Sequence, residues 1–237
     1  MGALKLIVFD LDGTLAHTNR VDGECYLRAL EESLGISQVD TNWNRYDHVT
    51  DHGIVLQLFA ERFGRGPTDE ESLRIVDVFM TMLRARCDND AAECREMPGA
   101  SLVLRQLKAD SGWGIALATG AWQRSAEFKI ARAGLPLQDV PKAFSEDGPS
   151  RESVVKTAIA RASAKYGQPE FEKIVSVGDG AWDVRTAGKL KLPFLGIGRG
   201  ERERRLRNLG ASHVVGDFID TGSFLSSLEN AVVPEVR

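Results

Sequence analysis

Positions 4–9, LKLIVF, form a short, nearly continuous apolar run with β-branched Ile7 and Val8 at its centre, and the run stops abruptly at the polar string DLDGT. A run of that length and continuity suits a strand buried on both faces, the situation of a parallel sheet covered by helices. Similar runs recur at 114–118, 174–177 and 194–197, with a weaker one at 213–215, and helical periodicity fills the intervals. Strands alternating with helices predict an α/β fold. Val154, Val155, Ala158, Ile159 and Ala162 share one helical face, and Ser150 stands ready as the N-cap.

Residues 10–113 contain no convincing strand, too long a stretch for a single crossover. Leu27, Leu30 and Leu34 make one helical stripe, Ile54, Leu58 and 60–63 a second, and Leu73, Val76, Met80 and Leu83 a third. Residues 17–92 are therefore expected to be an inserted helical unit, a candidate lid over the strand ends, with Pro98-Gly99 marking the return to the sheet. Residues 1–16 and 93–237 are expected to form the core.

Thirty Lys+Arg against 34 Asp+Glu, a net charge of −4, lack the basic excess of a phosphate-backbone binder, so no nucleic-acid partner is expected. With 43% hydrophobic residues the chain of 237 can bury a core. Its first apolar run, cut off at Asp10, falls far short of a membrane span or a signal-peptide core, which predicts a cytoplasmic protein with no membrane partner. Cys25, Cys87 and Cys94 show no CxxC spacing and no nearby His, and are expected to be reduced thiols.

In open α/β sheets ligands sit beyond the carboxyl ends of the strands. Here those positions are acidic: Asp10 and Asp12 follow the first run, and Asp179 and Asp183 follow the run at 174–177. Any one of them could be a turn or helix-cap aspartate. Four together repel one another unless a cation neutralises them, and an all-oxygen set with few ligands suits Mg2+.

Asp10-Leu11-Asp12-Gly13-Thr14, then Thr119 after the second run, then Gly178-Asp179-Gly180-Ala181-Trp182-Asp183 resemble motifs I, II and IV of the haloacid dehalogenase-like (HAD) hydrolase superfamily. The match runs in the right order over residues 4–216, and the insert after motif I resembles the C1 cap of the phosphoglycolate phosphatase and β-phosphoglucomutase branch. The resemblance implies a Rossmann-like parallel sheet core with an inserted α-helical cap. It further implies that Asp10 is a nucleophile forming an aspartyl-phosphate. Asp12 would act as general acid and then base, its main-chain carbonyl joining Asp10, Asp179 and Asp183 around Mg2+. Thr119 and the Gly120 amide would bind phosphoryl oxygens, although many relatives carry Asn where this chain has Gly120. Asp12 favours phosphoryl chemistry over dehalogenation, since a halide needs no proton.

Motif III of the family carries a Lys, and this sequence departs from it, reading SEDGPSRESVVK. Arg151 at a helix start is the favoured replacement, its fork suited to phosphate. Lys156 lies more than a turn further on, and Lys142 is expected on the wrong side of the sheet. The implied activity is a Mg2+-dependent phosphatase for a small phosphorylated metabolite, in a monomer or homodimer. A β-phosphoglucomutase-like phosphomutase and a non-catalytic binding protein retaining the fold are the alternatives. His17, Arg20, Trp43, Arg45 and Tyr46 in or beside the insert could meet substrate, Trp122 and Trp182 could shape the site or simply pack, and the charged string at 201–207 reads as a solvated helix face.

Overall fold

Six parallel strands, β1 (Lys5–Phe9), β2 (Trp113–Ala118), β3 (Lys142–Ala143), β4 (Ile174–Gly178), β5 (Phe194–Ile197) and β6 (His213–Val215), pair in the order β3-β2-β1-β4-β5-β6. The computed structural model describes residues 4–109 and 112–235, so positions 1–3, 110, 111, 236 and 237 of the expected core lie outside it. Among the described residues the helices are α1 (Asn19–Leu34), α2 (Asp51–Phe63), α3 (Asp69–Asn89), α4 (Ala100–Ala109), α5 (Gln123–Arg132), α6 (Arg151–Tyr166), α7 (Ala181–Leu190), α8 (Glu201–Asn208) and α9 (Thr221–Glu229). Strand order reverses at β1, and Phe9 is level with Leu117 of β2 and Val177 of β4. The residues after these three strands therefore emerge side by side, at the switch point where α/β sheets place their ligands.

Alternation along β1 explains the two layers. Ile7 and Phe9 pack with Leu104 of α4, Ile130 of α5 and Phe224 of α9, while Leu6 and Val8 meet Val154, Ala158 and Ala162 of α6 on the opposite face. Each fully buried side chain of this size contributes about 1.5–3 kcal/mol. Ser150 caps α6, its hydroxyl accepting from the Ser153 amide at 3.1 Å.

Helices α1, α2 and α3 enclose a separate apolar cluster that includes Tyr26, Leu30, Leu58, Phe59, Phe79 and Leu83. Thr50 and Thr68 cap α2 and α3, the latter in a reciprocal capping box with Glu71. The expected stripe of α3 is out of phase: Leu73 is 60% exposed, and Ile75 and Phe79 take the core face beside Met80 and Leu83. Two antiparallel segments join this unit to the sheet, with the His17 amide donating to the Arg95 carbonyl and the Met97 amide to the Leu15 carbonyl. Trp122, from the core, inserts between Tyr26 and Phe79 with ring centroids 5.4 Å away in each case.

The cysteine expectation is corrected. Cys87 at the end of α3 and Cys94 in the following 3-10 turn form a disulfide, and Cys25 is free and buried. The turn at 91–94 folds the chain back on the helix end, a proximity that a spacing of seven residues does not advertise. No helix among the described residues is long and apolar enough to cross a membrane.

Candidate active site

Asp10 leaves β1 with its amide still donating to the Val177 carbonyl, so it is fixed by the sheet itself. The chain then coils, the amides of Thr14, Leu15 and Ala16 all donating to the Leu11 carbonyl. Gly13 sits in this coil at φ +81°, where a Cβ would collide with Asn19 and Asp179, so only glycine fits. Asp179 follows β4 directly, and Asp183 lies in the first turn of α7, where its Oδ2 accepts from the Gly180 amide at 2.9 Å. Asp10, Asp179 and Asp183 thus bring three buried carboxylates together, one oxygen from each lying within 4.8 Å of the others.

Burial pushes all three acids up, Asp10 and Asp179 to about 7 and Asp183 to about 6, and the acids raise one another. Arg151 and Arg202 oppose the rise: Arg151 Nη1 donates to Asp10 Oδ1 at 2.9 Å and lies 3.7 Å from Asp183 Oδ1, while Arg202 Nη1 is 2.9 Å from Asp179 Oδ2. Asn19 Nδ2 also donates to Asp179 Oδ2 at 2.9 Å. Asp179 Oδ1 is buried with no hydrogen-bond partner. An orphaned carboxylate oxygen beside two further acids is the donor set of a small hard cation, so the residues fit Mg2+.

Thr119 follows β2 and is buried, its Oγ1 accepting from the Ala121 amide at 3.2 Å, which leaves its O–H free to donate. Gly120 is the reason Arg151 can reach Asp10. A Cβ at position 120 would lie 2.8 Å from both Cζ and Nε of Arg151. Arg151 also donates from Nε to the Val49 carbonyl at 2.8 Å, and its guanidinium stands 5.7 Å from the Trp182 ring centroid. Lys156 is exposed, and Lys142, at the start of β3, turns to the Gln138 carbonyl.

Asp12 faces elsewhere. Its carboxylate stands outside the buried triangle and is held by Lys129 of α5, whose Nζ donates to Oδ1 at 2.7 Å and Oδ2 at 2.8 Å, and by the Thr18 hydroxyl on Oδ1. Lys129 also donates to Asp22 of α1 at 2.6 Å. Burial alone would pull this ammonium down, but Asp12, Asp22 and Asp51 outweigh it and hold it above its usual range. Above Asp12 opens a cavity of about 250 Å³, lined from the core by Gly120, Arg151 and Trp182 and from the helical insert by Asp22, Tyr26, Trp43 and Asp51 among others.

Several expectations about single residues shift. Trp43 lines the cavity, but Tyr46 is buried with its O–H on the Asp40 carbonyl, Arg45 pairs with Glu61, and His17 and Arg20 border a second cavity. The string at 201–207 is not wholly a solvated face, since Arg202 reaches Asp179. Asn19, Asp22, Asp51 and Lys129 belong to no motif of the sequence. The one signal available for Lys129 was a lysine on the face of α5 that also carries Ala126 and Ile130.

A family model described as haloacid dehalogenase-like hydrolase matches residues 4–190. The chain belongs to that family. No curated protein matches this HAD-like hydrolase. Among solved structures, a hydrolase from Pseudomonas syringae is 21% identical, with 94% of this chain and 98% of that one covered and a TM-score of 0.67. CbbY from Rhodobacter sphaeroides, solved with phosphate, is 20% identical over 95% and 99% with a TM-score of 0.68. β-Phosphoglucomutase from Clostridium difficile is 14% identical over 96% and 98% with a TM-score of 0.66. At these identities the likeness establishes the shared fold.

Proposed function

We propose that this HAD-like hydrolase is a Mg2+-dependent phosphatase that releases phosphate from a small phosphorylated metabolite through an aspartyl-phosphate. The observation that carries the reading is Arg151 on Asp10 at 2.9 Å, beside the three-carboxylate cluster with its orphaned oxygen. Asp10, Asp179, Asp183 and the Asp12 carbonyl would hold the metal, which when bound supplies positive charge for the carboxylates and the phosphoryl oxygens.

Asp10 attacks phosphorus with a carboxylate oxygen while the bond from phosphorus to the ester oxygen breaks. Asp12 gives the leaving oxygen its proton. A water then yields a proton back to Asp12 and attacks the same phosphorus, the bond to Asp10 breaks, and inorganic phosphate leaves. Arg151 offers its fork to the phosphoryl oxygens and offsets their charge next to Asp10. Thr119 Oγ and the Gly120 amide provide donors on the adjacent side.

Arg151 is the one cation lining the cavity among the described residues, while Asp22 and Asp51 face it from the helical insert, which serves as the cap. A leaving group with hydroxyl or amino donors suits that wall, and one with a second anion does not. Phosphate release from a panel of phosphomonoesters and bisphosphates tests the reading: the uncharged and amino alcohols should lead, and Asp10→Asn should abolish turnover of all. Retention of more than about a tenth of the rate, a loss under ~1.4 kcal/mol of barrier, would remove Asp10 from the role.

A further inference from the structure

Lys129 is completely buried, on a helix face where a leucine or methionine would pack without the cost of removing a charge from water. Packing does not account for it, so its three bonds must. Two go to the two oxygens of Asp12 and the third to Asp22 of α1, which ties a residue of the sheet domain to one of the cap.

Counting acceptor sites shows what the arrangement does to Asp12. An ionised carboxylate has about four lone-pair sites, two on each oxygen. Oδ1 receives Lys129 and the Thr18 hydroxyl, which fills it, and Oδ2 receives Lys129 alone. One site is left, on Oδ2, and Asp12 is among the residues lining the cavity. We propose that Lys129 is a positioning residue for proton transfer: by occupying both oxygens of Asp12 together with Thr18 it makes Oδ2 the single atom through which the proton passes. The proton leaves Oδ2 for the ester oxygen as the bond to phosphorus breaks, and Oδ2 takes one back from the attacking water. With Lys129 removed, the carboxylate can rotate and either oxygen, or neither, faces the leaving group.

This rests on Asp12 being the proton donor, and the test separates the two claims by the leaving group. p-Nitrophenolate departs without a proton, whereas an alkoxide needs one, so loss of a positioned donor penalises an alkyl phosphate selectively. A merely structural loss lowers both substrates alike. kcat/KM is measured for an alkyl phosphate and for p-nitrophenyl phosphate in wild type, Asp12→Asn, Lys129→Met and the double variant, each checked for a wild-type thermal transition. Lys129→Met should lower the alkyl-to-aryl ratio at least tenfold, as Asp12→Asn does, and the double variant should be little worse than Asp12→Asn. If Lys129→Met does not fold, Lys129→Arg is measured instead, with the same selective loss at smaller size. A selective loss in Asp12→Asn with a uniform one in the Lys129 variant, or a double variant whose losses multiply, overturns the assignment of Lys129. Absence of any selectivity in Asp12→Asn overturns the reading of Asp12 beneath it.

Discussion

Gly120 and Arg151 compete for one volume. The guanidinium lies over a glycine whose Cβ, if it existed, would touch it at 2.8 Å, so the two places where this chain leaves the common HAD pattern are linked. A longer, planar cation at motif III needs a bare backbone at motif II. Arg151→Ala should reduce kcat by about 10²–10³-fold, the usual cost of losing a group that stabilises transition-state charge. Gly120→Ala should cause a comparable loss by pushing the fork off Asp10, and the double variant should be no worse than Arg151→Ala. Arg151→Lys should recover much of the rate, and Lys156→Ala should stay within a few-fold of wild type. Steady-state kinetics on one phosphomonoester checks all five proteins, and a fully active Gly120→Ala would break the link. The places of Asp10, Asp12, Thr119, Gly120, Arg151, Asp179 and Asp183 in the fold were legible because each follows a strand or opens a helix. Lys129 was not, because its place on the α5 face with Ala126 and Ile130 is outweighed by its type, a lysine being almost never fully buried unless paired.

Strands were legible element by element, because apolar residues dominate each run even with Lys5, Ser176 and His213 among them: each run at 4–9, 114–118, 174–177, 194–197 and 213–215 became a strand within one residue at either end. β3, two residues long, has too little sequence to show a pattern. In α3 the stripe differs from the expected one because Leu73, just past the first turn, lies on the exposed side while Ile75 and Phe79 join the cluster shared with α1. Trp122 shows how the core grips the helical insert. It belongs to the sheet domain by sequence, yet it is 4% exposed among Tyr26, Phe79 and their neighbours. Trp122→Ala should destabilise the protein by about 3–5 kcal/mol in denaturant unfolding, as expected for deletion of a buried aromatic. A loss under about 1 kcal/mol would mean that the two units are joined elsewhere.

For the molecule as a whole, the buried acids set the response to pH. Asp10, Asp179 and Asp183 are pushed above their ordinary value of 3.8, to about 7, 7 and 6, so without metal the folded state holds protons that the unfolded chain releases. Their contribution to stability is therefore fully present below about pH 4 and is lost as pH rises towards 7. A divalent cation binds the ionised cluster, so its stabilising effect grows over the same window. Saturating Mg2+ should raise Tm more near pH 8 than near pH 5, by several degrees if it reaches about 100 times its Kd. An equal shift at both values, or none, would contradict a cation bound by these three acids. In the proposed reaction Asp10 takes the phosphoryl group. Acid quenching of the enzyme during turnover, followed by peptide mass spectrometry, reads that step directly. The expected result is a phosphoryl group on the peptide carrying Asp10, removed by hydroxylamine and absent in Asp10→Asn. Rapid phosphate release with Asp10 unmodified at every quench time, or a phosphoryl group trapped on another residue, would contradict it.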